Sequence, residues 1–295
     1  MRWPPFHSGE LAVQQRMGQA EIAGRVGRMI RADIPAVAAA FLAEQPMLVI
    51  AAADAAGRLW ASELVGPPGF IHAVDAGTIA VAARPVVGDP LRDTLTGTAR
   101  IGMIALQPQR RRRMRVNGTV APDGAGLRIV TDQVYSNCPK YISRREIESY
   151  QPGATQSPRH STALDAGQRA AIAAADTFFT ATADADGNAD ASHRGGNPGF
   201  LEVLSPTRLR WPDYRGNSMF MTLGNIEVNP HCGLLVPNWA TGGALQLTGT
   251  AELVWAPPTS APGAQCSIEF TITEVLDHPT GPLRWTAPEL SPANP

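Results

Sequence analysis

The chain has 295 residues, 44% of them apolar and only 17% charged, and a formal net charge of −1. That length supports one large domain or two ordinary ones and excludes a disulfide-stapled miniprotein. The near-zero charge argues against bulk binding to nucleic acid or to an anionic membrane. Three cysteines (Cys138, Cys232 and Cys266) are an odd number at no metal-ligand spacing, which suits a reducing, cytoplasmic setting. The longest apolar run, Ala36 to Ala43, is far shorter than a membrane span. The opening Met1-Arg2-Trp3-Pro4-Pro5 lacks the apolar core of a signal peptide. Nearly all the basic residues are arginine; the solitary lysine is Lys140.

In chain order, Ser8 is placed to cap a helix running to about Arg31, with Leu11, Ile22, Val26 and Met29 on one stripe. Met47 to Ala53 is a short β-prone run, and the Asp54-x-x-Gly57 turn after it predicts a hairpin. Further strands are expected over Thr78–Ala83, Ala99–Leu106, Arg113–Val120 and Leu127–Val134. Residues 151–162, rich in Pro, Gln, Ser and Thr without apolar periodicity, read as a linker. Asp165 caps a helix over Ala166–Ala175. A second hairpin starts with Thr177–Ala183 and the turn Asp184-x-x-Gly187. Strands then follow over Arg208–Trp211, Cys232–Val236, Leu245–Val254 and Ser267–Val275, with a helix from a Ser218 cap through Glu227 between the first two.

The two halves repeat each other. Ala53-Asp54-Ala55-Ala56-Gly57 aligns with Ala183-Asp184-Ala185-Asp186-Gly187, and Pro68-Gly69-Phe70 aligns with Pro198-Gly199-Phe200 in the same register. One residue out of that register, Gly102 meets Gly233 and Asn117-Gly118-Thr119 meets Thr248-Gly249-Thr250. Short strands separated by Gly/Pro turns in each half predict a mainly β chain of two tandem barrels. The expected bounds are 1–150 for the first barrel with its N-terminal helix and 163–295 for the second.

The second half carries the stretch with the most chemistry. Ser192-His193-Arg194-Gly195-Gly196 brings ionisable side chains together with a glycine turn. Trp211-Pro212-Asp213-Tyr214-Arg215-Gly216-Asn217-Ser218 leads into a helix start, where free N–H groups, the positive dipole end and a guanidinium would converge as a phosphate cradle. At the first-half counterpart, Val87-Gly88-Asp89-Pro90 lacks the Arg and Ser, and an aspartate there would repel phosphate. The run Arg110-Arg111-Arg112-Arg113-Met114-Arg115 alternates faces on a strand, which favours one or two arginines turned to a ligand over a nucleic-acid patch. Cys138, beside Pro139 and Lys140, reads as a structural thiol. No catalytic triad elbow, P-loop or dinucleotide fingerprint occurs.

These segments, with Asn229-Pro230-x-x-Gly233-Leu234-Leu235-Val236 and Gln246-Leu247-Thr248-Gly249, resemble the pyridoxamine 5′-phosphate oxidase family of FMN-binding split β-barrels. The resemblance covers about Asp176 to Val254 directly and the first half through the repeat. Phe6-His7-Ser8-Gly9-Glu10, Val116-Asn117-Gly118, Asn137-Cys138-Pro139-Lys140-Tyr141-Ile142 and Pro282-Leu283-Arg284-Trp285 are similar to its longer relatives. The chain departs from the vitamin B6 enzymes at Met219-Phe220, where they carry basic residues, and Arg284-Trp285 is a poor match to their substrate signature.

The resemblance implies two split barrels forming an intrachain pseudo-dimer, a homodimer being left open, with one FMN per chain. It assigns Arg194, Arg215, Asn217 and Ser218 to the phosphate, and Asp213 and Tyr214 to the ribityl or ring edge. Ser192, His193, Gly195 and Gly216 complete the cradle, with Gln246 and Lys140 as partners from neighbouring strands. The implied activity is hydride transfer through FMN to or from a small-molecule substrate or electron donor, with no nucleic-acid or membrane partner and no metal. No acid or base is assigned; His193 is the first candidate because it alone in that cluster ordinarily titrates near neutrality. A non-catalytic flavin carrier or sensor, and a haem or F420 ligand in place of FMN, stay open as alternatives.

Overall fold

The computed structural model describes residues 5–153, 156–256 and 261–295. Met1 to Pro4 of the opening segment and residues 154 and 155 of the expected linker lie outside them. Three helices come first: α1 (Ser8–Arg16), α2 (Ala20–Val26) and α3 (Ala36–Ala43). The first sheet follows as β1 (Met47–Ala53), β2 (Leu59–Val65), β3 (Ile71–Asp75), β4 (Thr78–Val81), the short α4 (Leu91–Thr94), β5 (Ala99–Gln107), β6 (Arg112–Asp123) and β7 (Gly126–Ser136). Two short strands, β8 (Ile147–Tyr150) and β9 (Arg159–Ser161), lead to α5 (Ala166–Ala174). The second sheet is β10 (Thr177–Ala183), β11 (Ala189–Gly195), β12 (Glu202–Ser205), β13 (Arg208–Tyr214), α6 (Met221–Val228), β14 (His231–Asn238), β15 (Gly243–Val254) and β16 (Ala264–His278), with β17 (Leu283–Trp285) last.

The repeat read from sequence is a repeat of topology. One sheet runs β2-β1-β5-β6-β7-β4-β3 and the other β11-β10-β14-β15-β16-β13-β12, strand for strand the same order, all antiparallel. Each is a split barrel. Registers match too: Ala51 pairs with Gly102 as Ala181 pairs with Gly233. Both sheets carry a bulge where Asn117 passes to Gly118 and Thr248 to Gly249. Asp54 Oδ1 accepts from the amides of Ala56 and Arg58, and Asp184 Oδ1 from those of Asp186 and Asn188. The turn glycines Gly57 and Gly187 sit at φ +78° and +81°, left-handed backbone that a Cβ would disfavour.

The barrels pack through β1, β2 and β5 against β10, β11 and β14. Strands β1 and β10 are therefore buried on both faces, β1 almost wholly apolar and β10 carrying Thr177, Thr180 and Thr182 among its apolar residues. Leu48, Ile50 and Ala52 point into the first barrel with Trp60 and Phe70, while Met47, Val49 and Ala51 meet Phe179, Ala181 and Ala191 at the seam. The second core gathers around Phe178, Trp211 and Phe270. The two matching glycines set how close the barrels come. A Cβ on Gly102 would lie 2.5 Å from Asp190 Cα, and one on Gly233 would lie 2.8 Å from Trp60 Cα, so each needs its missing side chain.

Several local expectations are corrected. The first helix is capped by His7, not Ser8: His7 Nδ1 accepts from Gly9 N (3.2 Å) and Glu10 Oε2 accepts from His7 N (2.9 Å). It stops at Arg16 ahead of Gly18, whose φ is +64°. Helix α1 packs against α6 of the second half, close enough that a Cβ on Gly9 would strike Gly224 O at 2.2 Å. Ser218 does not cap α6; it lies at φ +62°, and the helix begins at Met221 after Phe220 at φ +59°. Asp165 caps α5 as expected, and the structure adds a reciprocal capping box with Gln168. The linker is framed by sheet pairing, β8 with β17 and β9 with β16. Among the described residues no helix is long and apolar enough to cross a membrane.

Candidate functional site

Alternation on β6 decides which arginines matter. Met114, Val116 and Val120 are buried toward the first barrel, so Arg113 and Arg115 fall on the opposite face, toward the second half. There they meet the end of β11, the exit of β13 and the start of α6 around a cavity of about 80 Å³. Arg113, Arg115, Ser192, His193, Arg194, Gly195, Asp213, Tyr214, Gly216, Asn217, Ser218 and Thr222 line it, as do Asn137, Cys138 and Tyr141 from the segment after β7. The cavity thus belongs to both halves.

Three guanidiniums face it. Arg115 donates to Asp190 Oδ2 (2.9 Å) and to Ser192 Oγ, and Arg194 bonds Asp213. Among the described residues Arg113 has no carboxylate partner: its contacts are His193 Nδ1 (2.7 Å) and Lys140 O (3.4 Å). Burial, then the charges of Arg115 and Arg194, press its pKa down to about 9. An anion in the cavity would reverse that pressure. Because arginine only donates, His193 Nδ1 is the acceptor and Nε2 carries the ring hydrogen. Burial and the neighbouring guanidiniums, Arg113 first, hold the imidazole far below its usual range, so His193 is neutral. This corrects the expectation that it titrates near neutrality. Burial is also the main reason the Asp213 carboxyl sits above its ordinary pKa, against the pull of Arg194.

Polar atoms without partners gather at the same place. Arg113 Nε, Arg115 Nε, Arg194 Nε, His193 Nε2, Asn137 Oδ1 and Thr222 Oγ1 are all buried and make no hydrogen bond. Buried polar groups are rarely left so, because each loses its water without compensation. Five of the six are donors or can donate, and Met221, Thr222 and Leu223 bring the uncapped N-terminus of α6 to the same wall. The set fits an oxyanion such as phosphate. The volume holds a group of that size and is well below the roughly 300–1,000 Å³ of a site enclosing a whole cofactor.

The structure gathers most of the sequence candidates, leaves Arg215, Lys140 and Gln246 off the cavity, and engages the Ser218 hydroxyl elsewhere. Arg215 is exposed, does not line the cavity, and offers its backbone carbonyl to Tyr141 Oη (3.0 Å). Ser218 lines the wall, but its hydroxyl donates to Gln19 Oε1 (2.6 Å). Lys140 is exposed, and only its carbonyl reaches Arg113. Gln246 lies in a different cavity, bonded to Ala61 O, Ser62 Oγ and Asp89 Oδ2. Asn217 Oδ1 accepts from Met219 N, and Tyr214 packs on Tyr141 with ring centroids 5.4 Å apart. Gly195 admits backbone, not ligand: a Cβ there would lie 1.9 Å from Tyr141 O. Of the cavity residues outside the motif, Arg113 and Arg115 are signalled by the arginine run, Asn137 by the segment similar to the longer relatives, and Thr222 by nothing in the sequence. Among the described residues no group of His, Cys, Asp or Glu is arranged to hold a metal.

Residues 164–275 match the family model described as pyridoxamine 5′-phosphate oxidase. No curated protein matches the chain. Similar solved structures include HupZ of Group A Streptococcus (12% identity, 39% of this chain and 93% of that one, TM-score 0.33). An FMN-binding protein of Syntrophomonas wolfei is 12% identical over 37% of this chain and 82% of its own, with a TM-score of 0.29. HutZ, the heme storage protein of Vibrio cholerae, is 14% identical over 40% and 90%, with a TM-score of 0.24.

Proposed function

We propose, for a chain whose residues 164–275 match the pyridoxamine 5′-phosphate oxidase family model, that it binds one FMN with its phosphate in the cavity between the barrels and works as an oxidoreductase. The observation that carries this reading is the convergence of three guanidiniums and six unpartnered buried polar atoms on one phosphate-sized cavity, with Arg113 lacking any carboxylate partner. A bound flavin would supply hydride or single-electron transfer, chemistry the side chains do not have.

The chain's part is to hold and polarise. Arg113 and Arg115 from the first half and Arg194 from the second would clamp the phosphate, each charge-assisted bond contributing about 1.5–3 kcal/mol. His193 would donate from Nε2 as a neutral imidazole, and Thr222 from its hydroxyl at the head of α6. The rest of the cofactor would leave through the groove of about 730 Å³ that shares Arg113 and Asn137 with the cavity. Phe41, Met114 and Pro139 give that groove apolar wall, and Arg110 and Arg112 give it positive charge, which favours electron density accumulating on a reduced ring. A groove on another side, holding Glu10, Asp184, Asp186 and Asp190, would oppose it.

An absorbance spectrum of the purified protein, followed by extraction and identification of the released chromophore, tests the reading. FMN is the expected product. Haem or F420 would replace the cofactor assignment, and FMN that is tightly bound yet reduced only slowly by NAD(P)H would favour a carrier or sensor.

A further inference from the structure

Alternation along β2 turns Leu59, Ala61 and Val65 to the seam between the barrels, and Glu63 falls on the same face. There it lines a cavity of about 90 Å³ with Asp89, Ala244, Gln246 and His278. Glu63 is half-buried and its carboxyl oxygens keep accessible surface, yet it has no hydrogen-bond or ion-pair partner among the described residues. Burial without a compensating charge pushes its pKa up to about 8. Asp89, 6% exposed, accepts only from neutral donors: Ser62 Oγ (2.8 Å), Leu91 N (2.8 Å) and Gln246 Nε2 (3.0 Å). Because Gln246 donates through Nε2, its Oε1 accepts from His278 Nε2 (2.7 Å), which leaves His278 Nδ1 a free acceptor. Arg84 also lines the wall, but its guanidinium is engaged with the carbonyls of Gly126 (3.3 Å) and Gly124 (3.4 Å). Among the described residues, the acceptors of this cavity stand without a paired cation.

The cavity continues into a larger one. Ala244 and His278, which pair across β15 and β16, also line the space of about 1190 Å³ beside α5. The cationic cavity continues in the same way: Asn137 N donates to Arg113 O at 3.2 Å, and both residues are shared with the groove beside α3. Each side of the seam thus joins a small polar head to a wide body. Here the body wall is mainly apolar, made by Ala171, Ala174, Leu245, Pro237 and the half-buried Trp239. Pro237 faces Ala244 across the β14–β15 ladder, and Trp239 lies two residues farther on. The guanidiniums in that wall, Arg145 and Arg159, are each paired with a carboxylate, Asp176 and Asp277.

We propose that this joined space is a second small-molecule site, which takes a primary amine carrying an apolar body, with the ammonium against Glu63 and the body in the groove along Pro237 and Trp239. An ammonium only donates, and so matches a head of acceptors as an oxyanion matches the guanidiniums of the other cavity. A carboxylate or phosphate in the same place would meet Glu63 and Asp89 with like charge. The inference does not rest on the flavin reading.

The probes are 4-phenylbutylamine and its neutral isostere 4-phenyl-1-butanol, titrated into the full-length protein at pH 8 by calorimetry and tryptophan fluorescence. Saturable binding of the amine, about tenfold or more tighter than the alcohol, is expected from one charge-assisted bond. Glu63→Gln removes the charge at constant shape and collapses that preference, which a merely structural role would not do. Trp239→Leu weakens amine and alcohol alike and keeps the preference. Arg113→Ala, in the other cavity, leaves the amine's affinity unchanged. Equal affinity for the two probes, the same preference in Glu63→Gln, undiminished binding to Trp239→Leu, or no saturable amine binding to the wild-type protein would overturn the proposal. The comparison of the two probes on the wild-type protein decides even if a variant fails to fold.

Discussion

The duplicated fold holds two cavities at equivalent places on its seam, and among the described residues one gathers guanidiniums where the other holds a carboxylate. On β6, Arg115 faces Ile104; on β15, Gln246 faces Leu235 in the same sheet position. Each reaches across the seam to the matching serine, Arg115 to Ser192 and Gln246 to Ser62. By the same registers Arg113 corresponds to Ala244, and His193 to Glu63. The mate cavity, about 90 Å³, is lined by Glu63, Asp89, Ala244, Gln246 and His278. Asp89 sits where an anion would, accepting from Ser62 Oγ, Leu91 N and Gln246 Nε2. A carboxylate without a cation fills one site; in the other, Arg115 and Arg194 pair with Asp190 and Asp213, and Arg113 has no carboxylate among the described residues. A duplicated scaffold can thus keep its seam symmetric while its charge diverges.

The largest effect expected from breaking this comparison is at Arg115. Arg115→Ala leaves Asp190, which is 3% exposed, without its cation, and removal of one member of a buried pair costs about 3–5 kcal/mol. Gln246→Ala in the mate cavity removes only neutral bonds and should cost about 1–2 kcal/mol. Chemical denaturation of both variants measures the gap; equal losses would contradict the assigned asymmetry of charge.

The seam, by contrast, should respond symmetrically. Gly102→Ala and Gly233→Ala each force a methyl into backbone across the interface, and each should destabilise by about 1–3 kcal/mol. A thermal melt showing one tolerated and the other not would mean that the barrels do not meet as described.

A smaller and pH-dependent effect is expected at Asp89, which burial pushes up to about 6 from an ordinary 3.8. A carboxyl whose folded pKa is raised contributes most while protonated, and that contribution is lost as pH rises between about 4 and 6. Asp89→Asn should therefore gain on the wild type, by about 2 kcal/mol, as pH is raised through that window. Melting curves at pH 4 and pH 7 test this, and a constant difference between the two proteins would refute it.

Much of this was legible in the sequence, and the misses share a cause. The paired Asp-x-x-Gly turns, the Pro-Gly-Phe triplets and the glycines at 102 and 233 announced the duplication, because turns and close backbone contacts constrain residues locally. The short edge strands β3 and β12 have too few residues to show alternation. In sequence the cradle falls on Arg215 and Ser218, because a basic residue followed by Ser before a helical pattern usually means a cap. Two left-handed residues, Ser218 and Phe220, delay the helix, and no pattern signals them. Arg113 joins the site from the other half of the chain, a contact that only the paired barrels create.

The least effect on ligand is expected from Arg215→Ala, which should leave FMN affinity within about twofold, an exposed arginine contributing little. Arg113→Ala should weaken FMN about tenfold to a hundredfold without loss of stability, since it removes an uncompensated buried cation.

The central claim, one phosphate cavity per chain, is tested most directly by titrating the apo-protein with FMN and, separately, with riboflavin, following flavin fluorescence quenching. One FMN per chain, with riboflavin bound at least about a hundredfold more weakly, is the predicted result; two FMN per chain, or riboflavin bound as tightly as FMN, would contradict it.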